Sequence, residues 1–138
     1  MPTPFTGGCA CGAIRYECSA DPILSLNCHC RDCQRAGGSP FATVFLVPQD
    51  AVKITGAVKW FDVKADSRHM ASRGFCPTCG SPLFGKPSGM PIAVIGVRVT
   101  SLDNPSQYPP GMDIYTDSAQ PWDCMNPDLP KVPKMPQM

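Results

Sequence analysis

The sequence predicts an all-β domain with one short helix, on three observations. Apolar and β-branched residues gather in short runs that either alternate or stay apolar throughout, the patterns of half-buried and buried strands. The 17 prolines and 12 glycines among 138 residues punctuate those runs and leave no room for long helices. Two cysteine pairs, Cys9 with Cys11 and Cys76 with Cys79, lie far apart in the chain and would tie its start to its second half.

Residues 13–18 alternate, placing Ile14, Tyr16 and Cys18 on one face of a strand. Residues 23–26 make a second strand. The spacing predicts the helix over 31–36, stopped by Gly37 and Gly38. The most apolar stretch, 41–47, is rich in β-branched and aromatic residues and reads as a central strand. Residues 52–55 and 58–63, parted by Gly56 and Ala57, read as a hairpin. Strands over 68–75, 82–86, 92–97 and 113–116 complete about eight. The chain is read as one domain over 1–125, followed by a proline-rich extended tail over 126–138. That tail, in part disordered, can neither form a helix nor donate within a central strand.

Composition narrows the function. Lys and Arg number 12 against 11 Asp and Glu, a net charge of +1, which excludes an electrostatic nucleic-acid binder. No apolar run is long enough to span a membrane, and the first residues lack the basic and apolar regions of a secretory signal, so a cytoplasmic protein is expected. Nine cysteines are an odd number, and in a reducing compartment closely spaced cysteines mean metal or thiol chemistry before disulfides.

Seven of the nine fall into two constellations. Cys9 and Cys11 share one face of an extended segment. In Cys76-Pro77-Thr78-Cys79-Gly80, Pro77 fixes one dihedral and Gly80 permits a positive φ that turns peptide N–H groups toward sulfur. Together they supply the four thiolates of a closed, structural zinc site. The second constellation, Cys28, Cys30 and Cys33, offers three thiolates with no fourth at matching spacing. It reads as an open, catalytic zinc site, or as a closed one completed by His69, Cys124 or a partner chain. His29 stands between two ligands, so its ring should point away from them. Lone His69 reads as a surface or core side chain, and Cys18 and Cys124 as buried small hydrophobes. A zinc ion on three thiolates favours a soft ligand, so a thiol substrate fits better than a phosphate.

The segments 7–16 (GGCACGAIRY), 28–38 (CHCRDCQRAGG) and 73–83 (RGFCPTCGSPL), with 96–105 and 114–122 (IYTDSAQPW), resemble the glutathione-dependent formaldehyde-activating enzyme family, which includes the centromere protein V type domain. The resemblance covers about residues 5–125. It implies a zinc-pinned β-tent of antiparallel sheets with two zinc ions per chain. One is structural, on Cys9, Cys11, Cys76 and Cys79, and one is catalytic, on Cys28, Cys30 and Cys33. It implies a carbon–sulfur lyase reaction, condensation of glutathione with formaldehyde to S-hydroxymethylglutathione. Arg31 and Arg35 flank the second set and could bind the acidic tripeptide. The family often carries a histidine where this chain has Asp113. The alternative is a non-catalytic zinc β-domain serving as a thiol carrier or protein-interaction module, with no nucleic acid or membrane partner in either reading.

Overall fold

The computed structural model describes residues 4–64, 70–87, 90 and 92–136. His69, and part of the strand expected over 68–75, lie outside the described residues. Among the described residues ten strands form two sheets, and one α-helix packs with them. The smaller sheet sets β2 (Arg15–Cys18) between β1 (Phe5–Gly8) and β5 (Val52–Thr55), all antiparallel. The larger runs in the order β10 (Asp113–Ile114), β3 (Leu24–Cys28), β4 (Ala42–Pro48), β9 (Val94–Arg98), β8 (Pro82–Lys86), β7 (Met70–Phe75), β6 (Lys59–Lys64). It is not wholly antiparallel: β10 runs parallel to β3.

The apolar run over 41–47 behaves as its composition demands. β4 pairs on both sides, with β3 and β9, and Phe45 and Val47 are fully buried. They meet Phe5, Ile14, Tyr16 and Cys18 of the small-sheet side and Leu83, Phe84, Ile95 and Val97 of the large sheet in one apolar core. Burying each large side chain there contributes about 1.5–3 kcal/mol. A second cluster, Leu26, Cys28, Cys33, Ala42, Ile114 and Tyr115, lies under the helix and carries the candidate site.

The expected hairpin over 52–63 does not form. β5 pairs with β2 and β6 with β7, so the chain passes from one sheet to the other at this corner. Gly56 makes the corner possible: its φ is +105°, and a Cβ there would stand 2.4 Å from the carbonyl oxygen of Ala13. A hairpin turn needs strands that pair with each other, and tertiary packing against Ile14 wins over the local signal. β1, of sequence Phe-Thr-Gly-Gly, was not legible as a strand.

Residues 130–134 are extended and pinned. The N–H groups of Asp113, Tyr115 and Thr116 donate to the carbonyls of Pro130, Lys134 and Val132, and Val132 N–H donates back to Asp113. Cys18 is buried in the core as expected, whereas Cys124 is exposed, because the turns around it pack few apolar neighbours.

Candidate metal centres

The first four cysteines converge. Cys9 follows β1, Cys11 sits in the turn closed by Gly12 at φ 82°, and Cys76 and Cys79 follow β7 in a turn closed by Gly80 at φ 77°. Their sulfurs all lie within 4.8 Å of one another, with 3.6 Å from Cys9 to Cys11 and 3.7 Å from Cys11 to Cys76. Four thiolates around zinc, each about 2.3 Å from it, stand about 3.8 Å apart, so this donor set fits the ion. The peptide groups are aimed to suit: Ile14 N–H donates to Cys9 Sγ at 3.3 Å, and those of Thr78 and Cys79 to Cys76 Sγ at 3.4 and 3.5 Å. The Ser81 hydroxyl and backbone hold the Cys79 thiol down at about 5. All nine cysteines are free thiols.

The second set sits where β3 meets the helix α1 (Arg31–Gly37). Cys30 caps that helix: its sulfur accepts the Cys33 N–H at 3.3 Å, and at the other end Gly38, at φ 67°, donates to the Gln34 carbonyl. Capping therefore fixes Cys30 and Cys33 relative to each other. The Cys28 and Cys30 sulfurs are 3.3 Å apart, and all three sulfurs lie within 4.8 Å of one another. Among the described residues no other Cys, His, Asp or Glu joins the group. Hydrogen bonds from Cys28 and Cys30, and then the charges of Arg73 and Arg98, hold the Cys33 thiol well below its ordinary value. Within the trio Cys28 is pushed the other way, by its sulfur neighbours and by burial.

His29 points away from the sulfurs, as strand alternation requires, into a buried ion cluster. Its Nε2 is 2.8 Å from Asp113 Oδ1 and its Nδ1 is 2.8 Å from Asp123 Oδ2, with the histidine side chain 1% exposed and the carboxylates 1% and 3%. The second contact has an ion-pair distance without the alignment of a regular hydrogen bond. Asp113 also accepts from Asn27 Nδ2 at 3.1 Å and from Lys131 Nζ at 3.1 Å. Burial alone would raise the Asp113 pKa, but the hydrogen bonds from His29, Lys131 and Asn27 outweigh it and hold the carboxyl below its ordinary value. With its ring turned toward Asp113 and Asp123, His29 aims neither nitrogen at the sulfurs. Gln34 braces the same region, donating to the carbonyls of His29 at 2.7 Å and Ser118 at 3.1 Å. Tyr115 is the one non-glycine with positive φ among the described residues, at 55°, and is buried beside Cys28 and Cys33.

Arg31 and Arg35 are exposed on the helix, and Arg31 is spent on Gln34 Oε1. Two other arginines, not singled out from the sequence, stand nearer the sulfurs: Arg73 of β7, with Nη1 3.9 Å from Cys33 Sγ, and Arg98 of β9. They lie 40 or more residues from Cys33 in the chain, so no local spacing could find them. Asp123 was hidden by the same separation, and Asp113, noted in the sequence only as a departure from the family pattern, gave no sign that it meets His29.

Known proteins are similar to this chain in sequence. A Penicillium rubens protein is 34% identical over 93 residues, spanning 61% of this chain and 48% of that protein. One from Talaromyces marneffei is 30% identical over 87 residues, spanning 59% and 46%. Both carry the provisional name glutathione-dependent formaldehyde-activating enzyme. The chain thus spans about half the length of the curated relatives it matches. A crystal structure of a Rhodobacter sphaeroides protein shares the fold, with a TM-score of 0.59 at 20% identity over 92% of this chain and 99% of that one. Residues 4–118 match the family described as glutathione-dependent formaldehyde-activating enzyme. With that match taking in all seven clustered cysteines, the chain belongs to the glutathione-dependent formaldehyde-activating enzyme family.

Proposed function

We propose that this chain is a zinc-dependent carbon–sulfur lyase that joins a small thiol, glutathione or a close relative, to formaldehyde and runs the reverse cleavage. Two zinc ions per chain are assigned: a structural one to Cys9, Cys11, Cys76 and Cys79, and a catalytic one to Cys28, Cys30 and Cys33. A reducing, cytoplasmic setting suits nine free thiols. No helix among the described residues is long and apolar enough to cross a membrane.

One observation carries the reading: the second set supplies three sulfurs, and the histidine embedded in it is turned away and held by two carboxylates. Three protein ligands mark a catalytic zinc site, four a structural one. Zinc bound to the trio supplies a soft Lewis acid that keeps a substrate sulfur deprotonated near neutral pH. The chain does the rest. The helix cap and the ion cluster around His29 fix the directions of the three sulfurs. The apolar neighbours Ala42, Ile114 and Tyr115 keep water off their inner side. Arg31 and Arg35 add positive charge at the rim. In the forward reaction the substrate sulfur forms a bond to the aldehyde carbon, the carbonyl π pair moves to oxygen, and the proton lost from the thiol ends on that oxygen. The reaction is not a redox change and needs no further co-reactant.

Zinc counting by native mass spectrometry, with turnover of glutathione and formaldehyde followed by NMR, tests this. The intact protein is expected to hold two zinc ions. Cys76→Ser is expected to abolish folding, since structural zinc binding in small peptides is worth about 10–16 kcal/mol, as large as a whole domain's stability. Cys30→Ser is expected to fold, hold one zinc ion and turn nothing over. Full turnover by Cys30→Ser would overturn the catalytic assignment, and a single zinc ion in the intact protein would remove the second site.

A further inference from the structure

Two arginines from different strands converge on the Cys28–Cys30–Cys33 group. Arg73 Nη1 stands 3.9 Å from Cys33 Sγ, too long for a strong hydrogen bond. Arg98 Nη1 lies 3.0 Å from where a Cβ on Gly37 would be, so it reaches the end of the helix through space left by a missing side chain. Both arginines are half-buried. Neither has a carboxylate partner among the described residues, in contrast to Arg15, whose guanidinium is paired with Asp103. Holding two like charges together away from water is unfavourable unless an anion meets them. Three thiolates with one divalent ion leave a charge of −1, and two guanidinium groups bring the neighbourhood to +1. A surplus of positive charge remains for a ligand.

Resting on the thiol-substrate reading, we propose that Arg73 and Arg98 are the substrate-binding residues that take the carboxylate of an anionic thiol beside the Cys28–Cys30–Cys33 site. A planar guanidinium grips a carboxylate through two parallel N–H···O bonds, which lysine cannot reproduce. Arg31 and Arg35, exposed to solvent and salt, contribute long-range attraction only.

The test is isothermal titration calorimetry on the zinc-loaded protein with three probes: glutathione, S-methylglutathione and neutral 2-mercaptoethanol. Circular dichroism and zinc content establish that each variant is folded and loaded. A hydrogen bond to a charged group contributes about 1.5–3 kcal/mol, or roughly tenfold to a hundredfold. Arg73→Met and Arg98→Met are each expected to weaken glutathione and S-methylglutathione at least about tenfold, while 2-mercaptoethanol changes less than about twofold. Arg98→Lys, which keeps the charge and the space filled, is expected to recover only part of the loss. Equal weakening of all three probes would mean that the arginines serve only to balance the sulfurs, and that overturns the proposal. So does unchanged affinity for glutathione. If the unaltered protein binds S-methylglutathione but neither free thiol, the thiol-substrate reading fails and this proposal with it. If it binds all three and the variants show no charge dependence, this proposal alone fails.

Discussion

Replacing Asp113 with alanine removes the anchor of the buried ion cluster, and the size of the effect follows from burial. Asp113 and His29 are each 1% exposed, and the carboxylate serves His29, Asn27 and Lys131 at once. Taking away one partner of a buried pair strands the other, which costs about 3–5 kcal/mol. The Lys131 contact adds little to that figure, because its side chain is 32% exposed and a solvated pair contributes under about 1 kcal/mol. For a domain of 138 residues, each kcal/mol moves the melting temperature by about 3–5 °C. Asp113→Ala is therefore expected to melt about 10–25 °C below the parent at pH 7. The assay is thermal denaturation followed by circular dichroism, with urea denaturation to check that the m-value is unchanged. Asp113→Asn, which keeps the shape and loses the charge, should fall between the two. A loss below about 1 kcal/mol for Asp113→Ala would refute the reasoning, since His29 would then find Asp123 sufficient by itself.

Two glycines with left-handed φ separate conformational strain from steric conflict. Gly38 faces open space, so Gly38→Ala should cost about 1 kcal/mol. Gly56→Ala must add a collision with the Ala13 carbonyl to a similar strain and should cost clearly more, about 2–3 kcal/mol. Equal losses in urea denaturation would show that the corner relaxes. The Arg15–Asp103 pair sets an acid limit. The Arg15 guanidinium and the Thr6 hydroxyl hold Asp103 down at about 2, from an ordinary value of 3.8. Its contribution is therefore complete above the ordinary value and is lost as pH falls through about 2. Both side chains are about half exposed, so that contribution is under about 1 kcal/mol. Asp103→Asn should flatten the stability profile by that much between pH 4 and pH 2, and a profile as steep as the parent's would count against the pair.

What the sequence made legible was whatever is local. The run over 41–47 declares itself because successive residues Phe45, Leu46 and Val47 are all buried, so both faces of the strand are apolar there. The helix is bounded by its cap residues, and the cysteine spacings state their own geometry. β1 was hidden for the opposite reason. Two of its four residues are glycines, which strands disfavour, and Gly7 is there because a Cβ would strike the Tyr16 hydroxyl at 2.3 Å. The corner at Gly56 looked like a hairpin because the residues that decide it, Ala13 and Ile14, lie more than 40 positions upstream. Around the second sulfur set, Asp113, Asp123, Arg73 and Arg98 come from distant strands and turns, and only the fold brings them together.

The docking of residues 130–134 against β10 has a consequence for the order in which the protein is made. Synthesis delivers Cys28, Cys30 and Cys33 early, while the partners of His29 arrive 84 residues later or more. β10, the parallel neighbour of β3, cannot join it before then, and Lys131 comes later still. Through most of translation the segment is a set of bare thiols on a strand with one side unpaired. Contacts across such separations form slowly. The segment that carries the second sulfur set is therefore made well before the contacts that cover it can form.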